Sequence, residues 1–176
     1  MPQVIRDKNR LALLGAFCLF LSVVEFMIPK PLPFLRLGLA NLPILICLSI
    51  LNPKEVLVLV LLKILGQGLI NGTLFSYIFL FSAAGSLASG IVMLVLWRWG
   101  RKFFSYIGIS IFGALASNMT QLVFSRLTVF GENAWIIGPP FLAVGTVTAI
   151  LLGLFAQKFT AMSSWLKGEE EKNEAV

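Results

Sequence analysis

RLGLANLPILICLSIL, Arg36 to Leu51, is apolar over most of its length, yet it opens on an arginine and carries an asparagine five residues later. A helix needs about 20 apolar residues to cross a hydrocarbon core, with a range of roughly 17–25. This segment approaches that length and keeps its polar groups at one end. The rest of the chain has the same character. Of 176 residues, 58% are hydrophobic and only 12% charged. A soluble domain would carry roughly a quarter charged residues. Mean hydropathy is +0.92, and the apolar residues fall in long blocks, so the sequence reads as an integral membrane protein.

Six apolar segments account for nearly the whole chain. Helices are expected at about 11–28, 37–51, 54–70, 74–97, 104–126 and 135–162. The fold class is therefore an all-α, six-transmembrane-helix bundle over 11–162, between an N-terminal tail (1–10) and an acidic tail (163–176). Turn chemistry marks the breaks. PKPLPF (29–34) has three prolines in five residues and cannot continue a helix. NPKE (52–55) offers Pro53 for a first helical turn, NGT (71–73) is a turn signal, and GEN and GPP bracket a loop before the last helix. The second and third segments are short, so one of them is open to being tilted, broken or incompletely spanning. Arg6, Lys8 and Arg10 precede the first apolar run in the manner of a signal peptide, but no small-residue cleavage site follows, so that run is expected to be a retained helix.

Lysine and arginine counts set the expected orientation. With both termini cytoplasmic, ten of the fourteen basic residues face inward, and only Lys30 and Arg36 lie in external loops. The expected location is the cell membrane, multi-pass, with Trp97, Trp99 and Trp135 near its interfaces. The chain has no histidine, and its one aspartate is Asp7. It therefore lacks the commonest metal ligand, paired aspartates for a magnesium–diphosphate site, and any phosphate-binding loop. Neither a catalytic residue nor a metal or cofactor is expected, and nothing suggests a nucleic-acid partner. Cys18 and Cys47 lie in apolar segments and read as buried thiols.

The polar residues inside the helices share one depth. Glu25 is near the outer end of the first helix, and Arg36 and Asn41 open the second. Lys63, Gln67 and Asn71 follow i, i+4, i+8 on the third, forming one stripe. Lys63 is roughly 14 Å above Lys54 at 1.5 Å per residue, about mid-membrane. Asn118, Gln121 and Ser125 follow i, i+3, i+7 on the fifth, with Arg126 at its outer end. Charges in lipid cost at least about 2.5–3.5 kcal/mol each, so they normally face a bundle interior or a wet cavity. Glu25, Arg36, Asn41, Lys63, Gln67, Asn71, Asn118, Gln121 and Arg126 are accordingly the candidate ligand-binding residues of one externally facing pocket.

Simpler readings exist for each. The amides are able merely to join helices, Lys63 to pair with Glu25, and Arg126 to snorkel to the surface. The balance of Lys30, Arg36, Lys63 and Arg126 against Glu25 and Glu132 favours an anionic ligand, with Phe34, Phe75, Tyr77, Phe124 and Phe130 as an aromatic wall. Small residues recur at helical spacing as Ser82, Ser86 and Gly90, as Gly113 and Ser117, and as Gly145, Ala149 and Gly153. By default they pack the bundle internally. Ala12, Gly15 and Ala16, on the inner half of the first helix, could admit a partner subunit.

These residues resemble a known family. RLGLANLPILICLSILNPKEVLVLVLLKILGQGLINGTLFS followed by ASNMTQL looks like the Gx transporter family, also described as heptaprenyl diphosphate synthase component I. The resemblance runs from Leu11 to about Lys158 and is most specific at LGLAN, at the lysine of the third helix, at G-x-L-F-S (72–76) and at Asn118 with Gln121. It departs at Ser117, where members often carry histidine. That family is similar to the substrate-binding S components of energy-coupling-factor (ECF) transporters. The likeness implies that Ala12 and Ala16 contact an ECF coupling transmembrane subunit and that separate ATPase subunits supply energy. A vitamin-like or precursor solute would be captured from outside, with membrane lipid around the bundle. The other description implies a non-catalytic membrane component of heptaprenyl diphosphate and quinone biosynthesis. A bundle that only scaffolds a larger complex is the third alternative.

Overall fold

A computed structural model describes residues 2–28, 38–100 and 102–163. Among these, regular structure is helical throughout, with no strand. The main elements are α1 (Pro2–Met27), α2 (Leu42–Cys47), α3 (Pro53–Ile70), α4 (Tyr77–Gly100), α5 (Tyr106–Ser125) and α6 (Ala134–Met162). A 3-10 turn, Leu39–Asn41, leads into α2. A π-helical turn, Arg126–Phe130, and a 3-10 turn, Gly131–Asn133, connect α5 to α6.

Local chemistry fixes the ends. Asn52 caps α3 in a reciprocal capping box with Glu55, whose Oε2 accepts from the Asn52 N–H at 2.9 Å, and Pro53 occupies the first turn. The other end of α3 closes on Gly72 at φ +64°. There the Thr73 N–H donates to the Gly68 carbonyl at 3.0 Å and the Gly72 N–H to Leu69 at 3.2 Å. This double bond pattern needs a left-handed residue, which glycine supplies without strain. Ser105 caps α5 by accepting from the Gly108 N–H.

Three features differ from expectation. The first helix begins at Pro2 instead of residue 11, so helix covers most of what read as a tail. Pro139 and Pro140, whose GPP read as bracketing a loop, lie inside α6, although α6 itself starts at Ala134, next to the expected 135. The largest difference is the opening segment. The helix expected over 37–51 is a single 3-10 turn followed by six helical residues, about 9 Å long. That is far short of a crossing. All six residues of α2 are buried, and all but Pro43 join Leu14 and Cys18 of α1, Leu59 and Val60 of α3, Met93 of α4, Ile109 of α5 and Ala156 of α6 in the main core. The run is apolar because protein surrounds it.

Elsewhere the pattern is reversed. Large apolar side chains are exposed along α1, α3, α4 and α6, including Phe20, Leu61, Leu65, Ile91 and Leu151, while Glu25, Lys63, Gln67, Asn118 and Gln121 are buried. By length and composition, α4 and the continuous helical run Tyr106–Met162 are each able to cross a membrane. Polar inside and apolar outside fits a chain whose solvent is lipid. Small residues set the close approaches between helices. A methyl on Gly90 would come within 2.8 Å of Val60, and one on Gly153 within 2.6 Å of the Ile107 Cα. The default expectation for the small residues of α4, α5 and α6 was internal packing, and Ser82, Ser86, Gly90, Gly113, Ser117, Gly145, Ala149 and Gly153 are all buried. Cys18 and Cys47 are free and buried.

Candidate ligand-binding site

Five elements deliver polar side chains to one small cavity. Its lining comprises Glu25 of α1, Gly38 and Asn41 before α2, Lys63 and Gln67 of α3, Ser86 of α4, Ala114, Ser117 and Asn118 of α5, and Gly145 of α6. The volume is about 20 Å³, room for one or two water-sized groups.

Each residue arrives there for a local reason. Lys63 and Gln67 stand one turn apart on the face of α3 that also buries Val56, Leu59, Val60 and Ile64. The segment before α2 is held over the cavity from two sides. The Gly38 N–H donates to Glu25 Oε1 at 3.2 Å, and Lys63 Nζ donates to Asn41 Oδ1. Gly38 takes φ +81°, a left-handed turn that glycine permits and that directs its amide towards the carboxylate. Asn118 lies against Gly145, in space that a larger residue on α6 would fill. Gln121, one turn further along α5, donates through Nε2 to Ser117 Oγ at 3.0 Å. Gly85 of α4 makes room for both, since a methyl there would meet Gln121 Nε2 at 2.7 Å and Ser117 Oγ at 2.9 Å.

Five of the nine candidate ligand-binding residues therefore line the cavity together: Glu25, Asn41, Lys63, Gln67 and Asn118. Gln121 is buried behind them and reaches the lining through Ser117. Asn71 ends α3 outside the lining, with a buried Oδ1 that has no hydrogen-bond partner. Arg126 stands apart. It is 42% exposed, pairs with Glu132 at 2.5 Å and lies 5.4 Å from the centre of the Trp135 ring. Arg36, with Lys30 and Phe34, lies outside the described residues. Phe75, Tyr77, Phe124 and Phe130 take no part in the lining, and Phe75 is fully exposed. Sequence reasoning missed Gly38, Ser86, Ala114, Ser117 and Gly145 as site residues. The small-residue spacing on α4 and α6 held the signal, but it reads equally as helix packing. Among the described lining residues the charge balance is one carboxylate and one ammonium.

On α1, Ala12 and Ala16 are exposed, whereas Gly15 is buried on the α1–α3 seam, where an added methyl would lie 3.7 Å from Leu62. Ala16 borders a second cavity of a different kind. This apolar groove of about 480 Å³ is walled by Leu13, Phe17 and Phe20 of α1, Pro43 and Ile46 of α2, and Phe159 of α6. Phe159 also borders an adjoining furrow of about 540 Å³ that includes Phe155, Met162 and Lys158.

A family profile for heptaprenyl diphosphate synthase component I matches residues 14–159. The chain belongs to that family. The match spans every element that lines the polar cavity and most of the groove. Its description names one component of a synthase, so the chain is at most an accessory subunit of that enzyme. Neither a curated protein nor a solved structure matches the chain.

Proposed function

We propose that this protein is a non-catalytic membrane subunit of prenyl diphosphate synthesis, which holds an isoprenoid chain beside a separate catalytic component. The family match over 14–159 carries this reading. A first component implies at least one other. The sequence argues that the chemistry is the partner's, because a single aspartate, Asp7, leaves no pair to hold magnesium and diphosphate. The apolar groove gives the role a physical form. Its aromatic and aliphatic walls suit a polyprenyl chain, and Lys158, bordering the adjoining furrow, suits the diphosphate at the chain's end. Reconstitution with the catalytic component tests it. The expected result is a longer or more abundant polyprenyl product with this protein present, reduced when Phe159→Asp spoils the groove. An identical product distribution with and without the protein would refute the role.

A second reading is favoured by the polar cavity, which is too small and too polar for an isoprenoid chain. In it the protein is the solute-binding component of an ECF-type importer. It spans the membrane in several passes with both termini cytoplasmic, and docks a coupling transmembrane subunit on Ala12 and Ala16 while separate ATPases drive release. An anionic solute would depend on Lys30 and Arg36, since the described lining is balanced. Ala16→Leu would then abolish uptake and leave solute binding intact; uptake at the wild-type rate would reject this reading.

A further inference from the structure

The unmet hydrogen bonds around the polar cavity identify a class of ligand. Gln67 lines it, is 2% exposed, and has a side-chain carbonyl, Oε1, without a partner. Gln121 is 1% exposed; its Nε2 is used on Ser117, and its Oε1 also has no partner. Buried carbonyls of this kind call for an N–H or O–H donor. Ser86 and Ser117 add hydroxyls that can donate or accept. The ionisable groups in the described lining are Glu25 and Lys63, one of each sign, both engaging the 38–41 segment. A phosphate or diphosphate entering here would bring two or more negative charges into a buried lining whose described residues carry no net charge, at a steep desolvation cost.

We propose that this cavity binds the N–H- or O–H-bearing end of a small polar solute without net charge, either a neutral amide or a zwitterionic amine, and excludes phosphate groups. The proposal rests on reading the cavity as a ligand site. It extends beyond the synthase role, which uses the groove, and it names the solute class for the importer reading. The donor end reaches Gln67 Oε1, and the Ser86 and Ser117 hydroxyls complete its shell. A volume of about 20 Å³ admits one compact head group, for which water is the competing occupant.

Thermal unfolding of the purified full chain in detergent tests this, with acetamide, glycine and inorganic phosphate each titrated separately. Acetamide or glycine is expected to raise the midpoint saturably, on the order of 5 °C near saturation. Gln67→Leu, which removes the carbonyl at similar volume, is expected to cut that shift at least tenfold, and phosphate to give none. If Gln67→Leu does not fold, Ser117→Ala takes its place with the same expected loss. A shift with phosphate that the variant abolishes would make the site anionic and overturn the proposal. Silence of both neutral probes on the wild-type chain would also overturn it and leave a cavity for water only. Neither result bears on prenyl product length, so failure here is separable from failure of the synthase role.

Discussion

The side-chain amide of Asn118 on α5 fills the space that Gly145 leaves open on α6. A polar side chain can lie buried between two apolar helices there because its neighbour has no side chain. Gly145→Ala forces Asn118 out of that slot and is expected to destabilise the protein by about 1–3 kcal/mol. Adding Asn118→Ala should restore most of the stability but not ligand binding. Denaturant unfolding of the single and double variants measures the rescue, and absence of rescue would mean the two residues do not share the slot.

Two glycines on different helices, Gly153 of α6 and Gly15 of α1, should behave oppositely. Gly153 faces the Ile107 backbone, 2.6 Å from an added methyl, and backbone cannot step aside as a side chain can. Gly15 faces Leu62 at an ordinary 3.7 Å. Gly153→Ala is therefore expected to lose about 2 kcal/mol or more, by overpacking. Gly15→Ala should be neutral or gain up to about 1 kcal/mol from helix propensity. Thermal midpoints of the pair check the ordering.

Asn41 and Lys63 form a charge-assisted bond that ties the 38–41 segment to α3. Asn41→Leu leaves the ammonium without that acceptor and is expected to cost about 1.5–3 kcal/mol. Faster amide exchange at Gly38 and Ala40 should accompany the loss. Unchanged exchange there would show that Glu25 alone holds the segment.

Arg126 and Glu132 are exposed at 42% and 78%, and such pairs contribute about 0–1 kcal/mol. Arg126→Ala should change stability by no more than that, and should leave the response to any cavity ligand intact. A large loss of ligand response would return Arg126 to the site despite its distance from the described lining.

The sequence made the meeting of Lys63, Gln67 and Asn118 legible, since amides and a lysine at helical spacing within apolar segments have few tolerable positions. Residues 42–47 were not legible in the same way. A run such as LPILIC is equally apolar whether lipid or protein surrounds it, and only the tertiary packing of α1, α3, α5 and α6 decides. Arg126 looked like Lys63 because sequence gives depth along a helix more readily than direction around it, and the side chain turns outward to Glu132 and Trp135. Gly145 and Ser86 escaped because residues chosen to leave room have the same signature whether the room is for a helix or for a site.

Native mass spectrometry of the protein gently extracted from its own membranes tests most directly whether this chain serves a separate catalytic component in prenyl diphosphate synthesis. The expected result is a complex with a soluble prenyltransferase subunit, carrying an isoprenoid mass that Phe159→Asp removes. A complex instead with a small membrane coupling protein and a pair of ATPases would contradict it and assign the chain to solute import.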